Sequence, residues 1–404
     1  MVYLVIAILI LIGIYRYDYK GLKQGRTFYL VIVCILLISI AGLRYRLGQD
    51  TLGYLSDYDE LKPISDLKIT DFSKTRFAPG FVIITSIFKQ FTEDFSYFQF
   101  FHAAIVNIVL VSFFYKYTKH VFFALLIYFV YEYFLLSFQQ MREALAVCVF
   151  LLAWPFFRDG KWIFWYLASL LAFSFHMSAF MMFLLPLICL PGVKQLFIFG
   201  QRTWIFCLIL AVVAIAIQAV FFKYIELLAL TESMMERAQA YDKSTAGKSG
   251  LNITGIISVL FKFIIYPFLA LYFLNKNKDI KTQNRFNKLN AFVLMSIYIS
   301  VIGIFIAIIF RYNNYFFPFS TLIISDMVFS YIPRQDGKKV RLRLAYWVIL
   351  MLPMFAFFIN GYTYGLNKSK TMKTYMVYYP YRSIIDKTEN QDTEKTLRYM
   401  RRHY

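Results

Sequence analysis

Long apolar runs recur along this chain, separated by shorter polar stretches that hold most of its charge. Twelve suit helices: residues 1–15, 27–43, 97–115, 121–138, 143–157, 162–175, 178–190, 204–222, 251–274, 289–310, 314–331 and 344–358. Apolar stretches of about 17–25 residues cross a bilayer as helices, because hydrocarbon leaves every backbone N–H and C=O to be satisfied internally. The runs are continuous rather than alternating, which excludes an outer-membrane barrel. Charged residues are 16% of the chain, against about 25% in a soluble domain. The expected fold class is therefore all-α: a polytopic integral membrane protein with about 12 transmembrane helices. Residues 1–15 lack a preceding basic residue and a small-residue cleavage site, and are expected to be the first span rather than a signal peptide.

A thirteenth run, Gly80–Phe91, is too short for a core of about 30 Å at 1.5 Å per residue. Short loops dense in Lys and Arg (16–26, 275–288 and 332–343) should face the cytoplasm. Counting spans from either end agrees only if Gly80–Phe91 is a re-entrant or interfacial helix on the outer side. The expected layout is a transmembrane domain over 1–358 with outer loops 44–78 and 223–250, followed by a polar tail, 359–404. Both chain ends are then outside, although the tail carries nine Lys and Arg. Residues 223–250 open with helical apolar spacing, as a helix lying on the membrane surface would, and end in a turn-rich lid-like segment. The net charge of +20 is read as topology-setting Lys and Arg rather than a nucleic-acid surface.

Cys34, Cys148, Cys189 and Cys207 fall in apolar runs without CxxC spacing, so they read as small core residues. With four His in the chain, no metal centre and no cofactor are expected. HExxH and GxSxG motifs are missing from the sequence.

The inferred topology gathers Arg44, Arg46, Asp50, Arg76, Gln139, Gln140, Arg142, His176 and Arg311 on the outer side. Arg142 stands at the start of a helix, where a cation opposes the dipole and free N–H groups favour an anion. It either binds an anionic ligand or pairs with Glu143, Glu132 or lipid headgroups. Arg311 follows a long span; its guanidinium suits bidentate phosphate contacts, and it equally suits a membrane anchor. Arg44 and Arg46 are two apart and would share a side of an extended lip, with Asp50 as the carboxylate that neutralises them or accepts a proton. Pro79-Gly80 should turn the chain so that Arg76 points back at the site. His176 is a candidate general base or a hairpin cap, with Ser178 a candidate N-cap. Lys262 and Asp326 lie deep in spans and read as a structural ion pair, and Glu132, also within a span, needs a partner.

Several of these residues fall in motifs: Arg44-x-Arg46-x-Gly48-x-Asp50-x-x-x-Tyr54, Arg76-x-x-Pro79-Gly80, Gln140-Met141-Arg142-x-x-Leu145-Ala146, Phe175-His176-x-Ser178-Ala179 and Tyr379-Pro380-Tyr381. In order and span count they resemble the EpsG family, the Wzy-type polymerases of bacterial exopolysaccharide, capsule and O-antigen synthesis. The resemblance implies a GT-C-like helical fold in the bacterial cytoplasmic (inner) membrane. It also implies polymerisation of undecaprenyl-diphosphate-linked oligosaccharide repeat units at the outer face. Donor and acceptor would both be lipid-linked, and a flippase and a chain-length regulator would be partner proteins. The catalytic candidates are then Arg142, His176 and Asp50. Arg142 and Arg311 would bind the diphosphate, while Arg44, Arg46, Tyr54, Arg76, Gln139 and Gln140 would shape the sugar and acceptor side. A flippase for the same lipid-linked oligosaccharide, an O-antigen ligase and, more weakly, a membrane acyltransferase remain as alternatives.

Overall fold

The computed structural model describes residues 2–73, 75, 77–200, 205–228, 260–276, 286–330, 374–385, 387 and 391–403. Among the described residues every named element is a helix, with one isolated antiparallel bridge, Arg44 to Ser383, and no named strand. The chain forms two compact units, Met1–Pro186 with Gly361–His403, and Leu187–Asn360. The described part of the tail thus belongs to the first unit.

In the first unit the main helices are α1 (Val2–Gly13), α2 (Arg26–Gly42), α3 (Thr51–Glu60), α4 (Pro79–Phe91), α5 (Phe95–Tyr117), α6 (Val121–Tyr131), α7 (Met141–Asp159) and α8 (Trp162–Phe175). A wider turn, Ile14–Tyr19, extends α1. Their burial pattern is inverted relative to a soluble protein. On α8 the exposed face carries Ile163, Phe164, Leu167, Leu170 and Leu171, while Ser169 is buried beside Trp165 and Ala172. In water each such exposed side chain would forgo about 1.5–3 kcal/mol of burial. In hydrocarbon that cost disappears, and the polar groups are the ones that must turn inward. Asn107, Ser137 and Tyr128 do so by bonding to one another at 3.1–3.2 Å.

Among the described residues three helical stretches are long and apolar enough to cross a membrane: Val2–Tyr19, Phe95–Tyr117 and Lys288–Phe305. Arg26–Gly42, Val121–Tyr131, Trp162–Phe175, Ile205–Ile217 and Leu260–Tyr272 are shorter apolar helices. The run at 178–190 is not one straight helix. It is divided into Met177–Phe180, Met181–Leu184 and Leu185–Cys189, and Pro191 starts a separate helix, Pro191–Gly200. Pro186 and Pro191 each lack the N–H that would carry a helix onward. The run at 289–310 breaks at Ile306, between Lys288–Phe305 and Ala307–Phe310. The run at 344–358, the loop beyond 228 and the first part of 251–274 lie outside the described residues.

Hydrogen bonds sort the helix ends of the first unit into two groups. At one end Gln99, near the start of α5, donates to the carbonyls of Gly42 and Arg44 where α2 finishes, at 2.8 and 2.9 Å. At the other, Arg26 donates to the Lys119 carbonyl at 2.7 Å, and Asp18 accepts from the Phe123 N–H opening α6. Residues 44–94 therefore leave and return at the same end of the bundle. The thirteen residues of α4 lie within that excursion, packed on α5 and α8.

In the second unit, Lys288–Phe305 packs on Ile205–Leu228 and on Asn313–Ser330. Ser296, Ser300 and Asn313 join in a buried hydrogen-bonded set. Lys262 is buried against the Phe263 and Phe317 rings, 4.2 and 4.5 Å from their centroids.

Candidate functional site

The segment between α2 and α3 is built from the inside outward. Arg44 is 1% exposed, and its guanidinium donates to the carbonyls of Ala41, Leu47 and Phe138 while lying 4.8 Å from the Phe138 ring centroid. Tyr3, Tyr133, Tyr378 and Tyr381 surround it. A buried cation is tolerable only when its donors are spent in this way. Arg44 thus holds the lip together from within.

Arg46 follows in the left-handed region, at φ 49°. That twist turns it away from Arg44, so the two arginines do not share a side. Arg46 pairs instead with Glu394 at 2.9 Å. Gly48 has φ 109°, and a Cβ there would stand 2.8 Å from the Phe138 carbonyl oxygen. Glycine alone permits this approach of the lip to the segment leading into α7.

The C-terminal tail closes over the same segment. Tyr45 N–H donates to Arg382 O, Ile384 N–H to Leu43 O and Gly48 N–H to Val377 O, at 2.8–3.0 Å. The Tyr381 hydroxyl reaches Ile40 O, and that of Tyr3 reaches Tyr378 O.

Beyond Gly48 the chain enters α3, with Asp50 exposed at its N-cap position and Thr51 Oγ1 bonded to Leu47 O at 2.6 Å. One turn on, Tyr54 is buried and meets Arg142. Arg142 is the second residue of α7, and it hydrogen-bonds to Tyr54 from its side chain and from its backbone. Its guanidinium carbon also lies 4.7 Å from the Phe77 ring centroid, and Phe77 stacks on Tyr54 at 5.8 Å. Burial raises the Tyr54 pKa, while the Arg142 cation beside it acts in the opposite sense.

Around this contact Tyr54, Phe81, Met141 and Leu145 form one buried cluster, with Phe77 and Phe175 packed against it. Gln139, in the turn before α7, bonds to the Tyr378 hydroxyl, and Gln140 is the α7 N-cap residue. Burial raises the Tyr378 phenol well above its ordinary range, and Asp50 adds to the effect. Gly80, opening α4, fits closely on α8: a Cβ would fall 2.9 Å from the Ser174 carbonyl oxygen.

Two residues further along, His176 caps the turn Met177–Phe180 through Nδ1, which accepts from Ser178 N–H at 3.2 Å and contacts Ser178 Oγ at 2.6 Å. The cap is thus His176 rather than Ser178. A neutral ring whose Nδ1 accepts carries its proton on Nε2, so it presents a donor there.

Arg76 lies outside the described residues, although its neighbour Phe77 is within the cluster. Arg311 belongs to the second unit, in the turn between Ala307–Phe310 and Asn313–Ser330. Glu132 is buried just after α6.

Sequence reading missed Gln99, His102 and Glu394. His102 Nε2 meets the Met141 carbonyl at 3.0 Å, directly before Arg142. Gln99 and His102 stand three apart on α5, so one helix face holds both the lip and the start of α7. Polar residues at that spacing in an apolar run were the available signal.

The EpsG family model matches residues 27–383, nearly the whole chain. The chain belongs to the EpsG family. No curated protein and no solved structure matches it. The EpsG match contains the lip, Phe77, the start of α7, His176 and the tail segment that pairs with the lip. Among the described residues, no group of three or more His, Cys, Asp or Glu side chains could hold a metal ion. The chemistry on offer is cationic and hydroxylic: a guanidinium, helix N–H groups, a phenol, amides and an exposed carboxylate.

Proposed function

We propose that this EpsG-family chain polymerises undecaprenyl-diphosphate-linked oligosaccharide repeat units into a polysaccharide at the outer face of the cytoplasmic membrane. The observation that carries this reading is the position of Arg142. It sits in the first turn of α7, beside Tyr54 and Phe77, at the lip end of the bundle. A helix N-terminus and a planar cation form a natural seat for a diphosphate.

In the reaction the bond between the donor's anomeric carbon and the diphosphate oxygen breaks. A bond from that carbon to an acceptor hydroxyl forms, and the lipid diphosphate leaves with the electron pair. Arg142 and the Tyr54 hydroxyl stabilise the departing charge where it develops, which is the most effective place for fixed donors. Gln139 and Gln140 contact sugar hydroxyls. Asp50 takes the acceptor proton, and His176 keeps its own, offering Nε2–H as a hydrogen-bond donor to a diphosphate oxygen. Arg44 holds the lip that carries Asp50.

The outer orientation rests on charge. The opposite end of the bundle collects Arg26, Lys119 and Arg158, the last close to Tyr117. Such basic ends are retained on the cytoplasmic side.

The testing experiment incubates purified protein with a lipid-diphosphate-linked oligosaccharide. A ladder of glycan products is the expected outcome. Movement of the intact lipid-linked unit across a vesicle membrane without elongation would replace this reading with a transporter.

A further inference from the structure

α3 has two working faces. Tyr54 and Tyr58 point into the bundle, whereas Leu52, Leu55, Ser56 and Asp59 recur at the i, i+3, i+4, i+7 spacing of the opposite face. That second face lines a half-open cavity of about 570 Å³, bordered by Arg46 and by Glu394 and Arg398 of the C-terminal helix Gln391–His403. The volume falls within the range of about 300–1,000 Å³ typical of small-molecule sites. Leu397 anchors the helix against Val377, with Leu52 and Tyr378 packed alongside.

The lining selects its occupant. Glu394 sits between Arg46 at 2.9 Å and Arg398 at 3.3 Å. With Asp59 opposite, two cations meet two carboxylates. The cavity therefore has no excess positive charge with which to hold a phosphate. Planar guanidinium and carboxylate groups set side by side supply donors and acceptors together, which suits vicinal hydroxyls. Leu52 and Leu55 offer apolar surface for the C–H faces of sugar rings, and the charges disfavour a lipid tail.

We propose that this cavity is an oligosaccharide subsite, distinct from the Arg142 region, that grips the growing glycan between additions. The proposal rests on the polymerase reading for its biological use, but the ligand class follows from the lining alone. α3 would then be the partition between the reacting end and the retained chain.

The test uses the full chain in detergent and, as probe, phosphate-free and lipid-free oligosaccharides from partial acid hydrolysis of the host cell's own exopolysaccharide. Saturation-transfer NMR should show binding by the wild type. Ser56→Trp, which fills the cavity, should abolish it. The near-isosteric Asp59→Asn should weaken it about tenfold, the loss expected for one charge-assisted hydrogen bond. Inorganic pyrophosphate should not compete.

In the elongation assay both variants should join the first two repeat units at the wild-type rate and yield shorter ladders. Wild-type binding with unchanged affinity in both variants, or unchanged ladder length, would overturn the subsite. Failure of the wild type to elongate any lipid-linked unit would instead remove the polymerase reading, leaving the binding measurement to decide on the cavity. Thermal melting confirms that each variant is folded, and Ser56→Ala, which leaves the cavity open, should bind as the wild type does.

Discussion

Tyr54 is hydrogen-bonded by Arg142 across 88 positions of sequence, linking the first turn of α7 to the middle of α3. Removing the hydroxyl alone tests this link. Tyr54→Phe keeps the ring against Phe77 and Phe81, so the melting temperature should move little. In the proposed reaction the hydroxyl is one fixed donor to the charge that develops on the diphosphate, so elongation should fall about a hundredfold. Because burial raises the Tyr54 pKa, the proton on the phenol is retained through neutral pH. A pH–rate profile should therefore show no loss from tyrosinate formation below about pH 10.

Gly48 carries the lip past the Phe138 carbonyl. Gly48→Ala places a Cβ against a backbone oxygen in a left-handed conformation, and both effects oppose folding. A stability loss of about 1–3 kcal/mol is expected, read as a lower melting temperature in detergent. Gly192 has open space where an added methyl would stand, so Gly192→Ala should leave stability nearly unchanged and serves as the control.

How much of this was legible beforehand differs from residue to residue. The membrane class follows from the apolar runs, since hydrocarbon-compatible length is a local property. That Arg142 stands in the first turn of a helix was legible for the same reason, because a cation against a helix dipole is a local anomaly. Arg44 and Arg46 were not. Their opposite environments depend on a left-handed turn at a non-glycine residue and on Glu394, 348 positions away. No spacing rule encodes a tail that returns to pair with the lip. The breaks near Pro186 and Pro191 were visible as prolines, but apolar continuity outweighed them.

The tail contact has its own test. Glu394→Gln removes the carboxylate shared by Arg46 and Arg398. Partly exposed ion pairs contribute about 0–1 kcal/mol, so global stability should hardly change. Hydrogen exchange in 391–403 should accelerate all the same, because the helix loses a tether to the lip. Unchanged exchange would show that Leu397 alone seats the helix.

Orientation can be read in intact cells. A single cysteine at Ser56 should react with a membrane-impermeant maleimide before lysis, and one at Lys119 only after lysis. The reverse pattern would turn the lip toward the cytoplasm and remove the outer-face assignment.

The central claim is that Arg142 binds the leaving diphosphate through its planar guanidinium. The most direct measurement compares wild type and Arg142→Lys in elongation of a purified lipid-diphosphate-linked oligosaccharide. Lysine keeps the charge but loses the bidentate fork, and loss of such preorganised donors costs about a hundredfold or more. The wild type should give a glycan ladder, and Arg142→Lys almost none at matched melting temperature. A full-length ladder from Arg142→Lys would show that the fork of the guanidinium is not what binds the diphosphate.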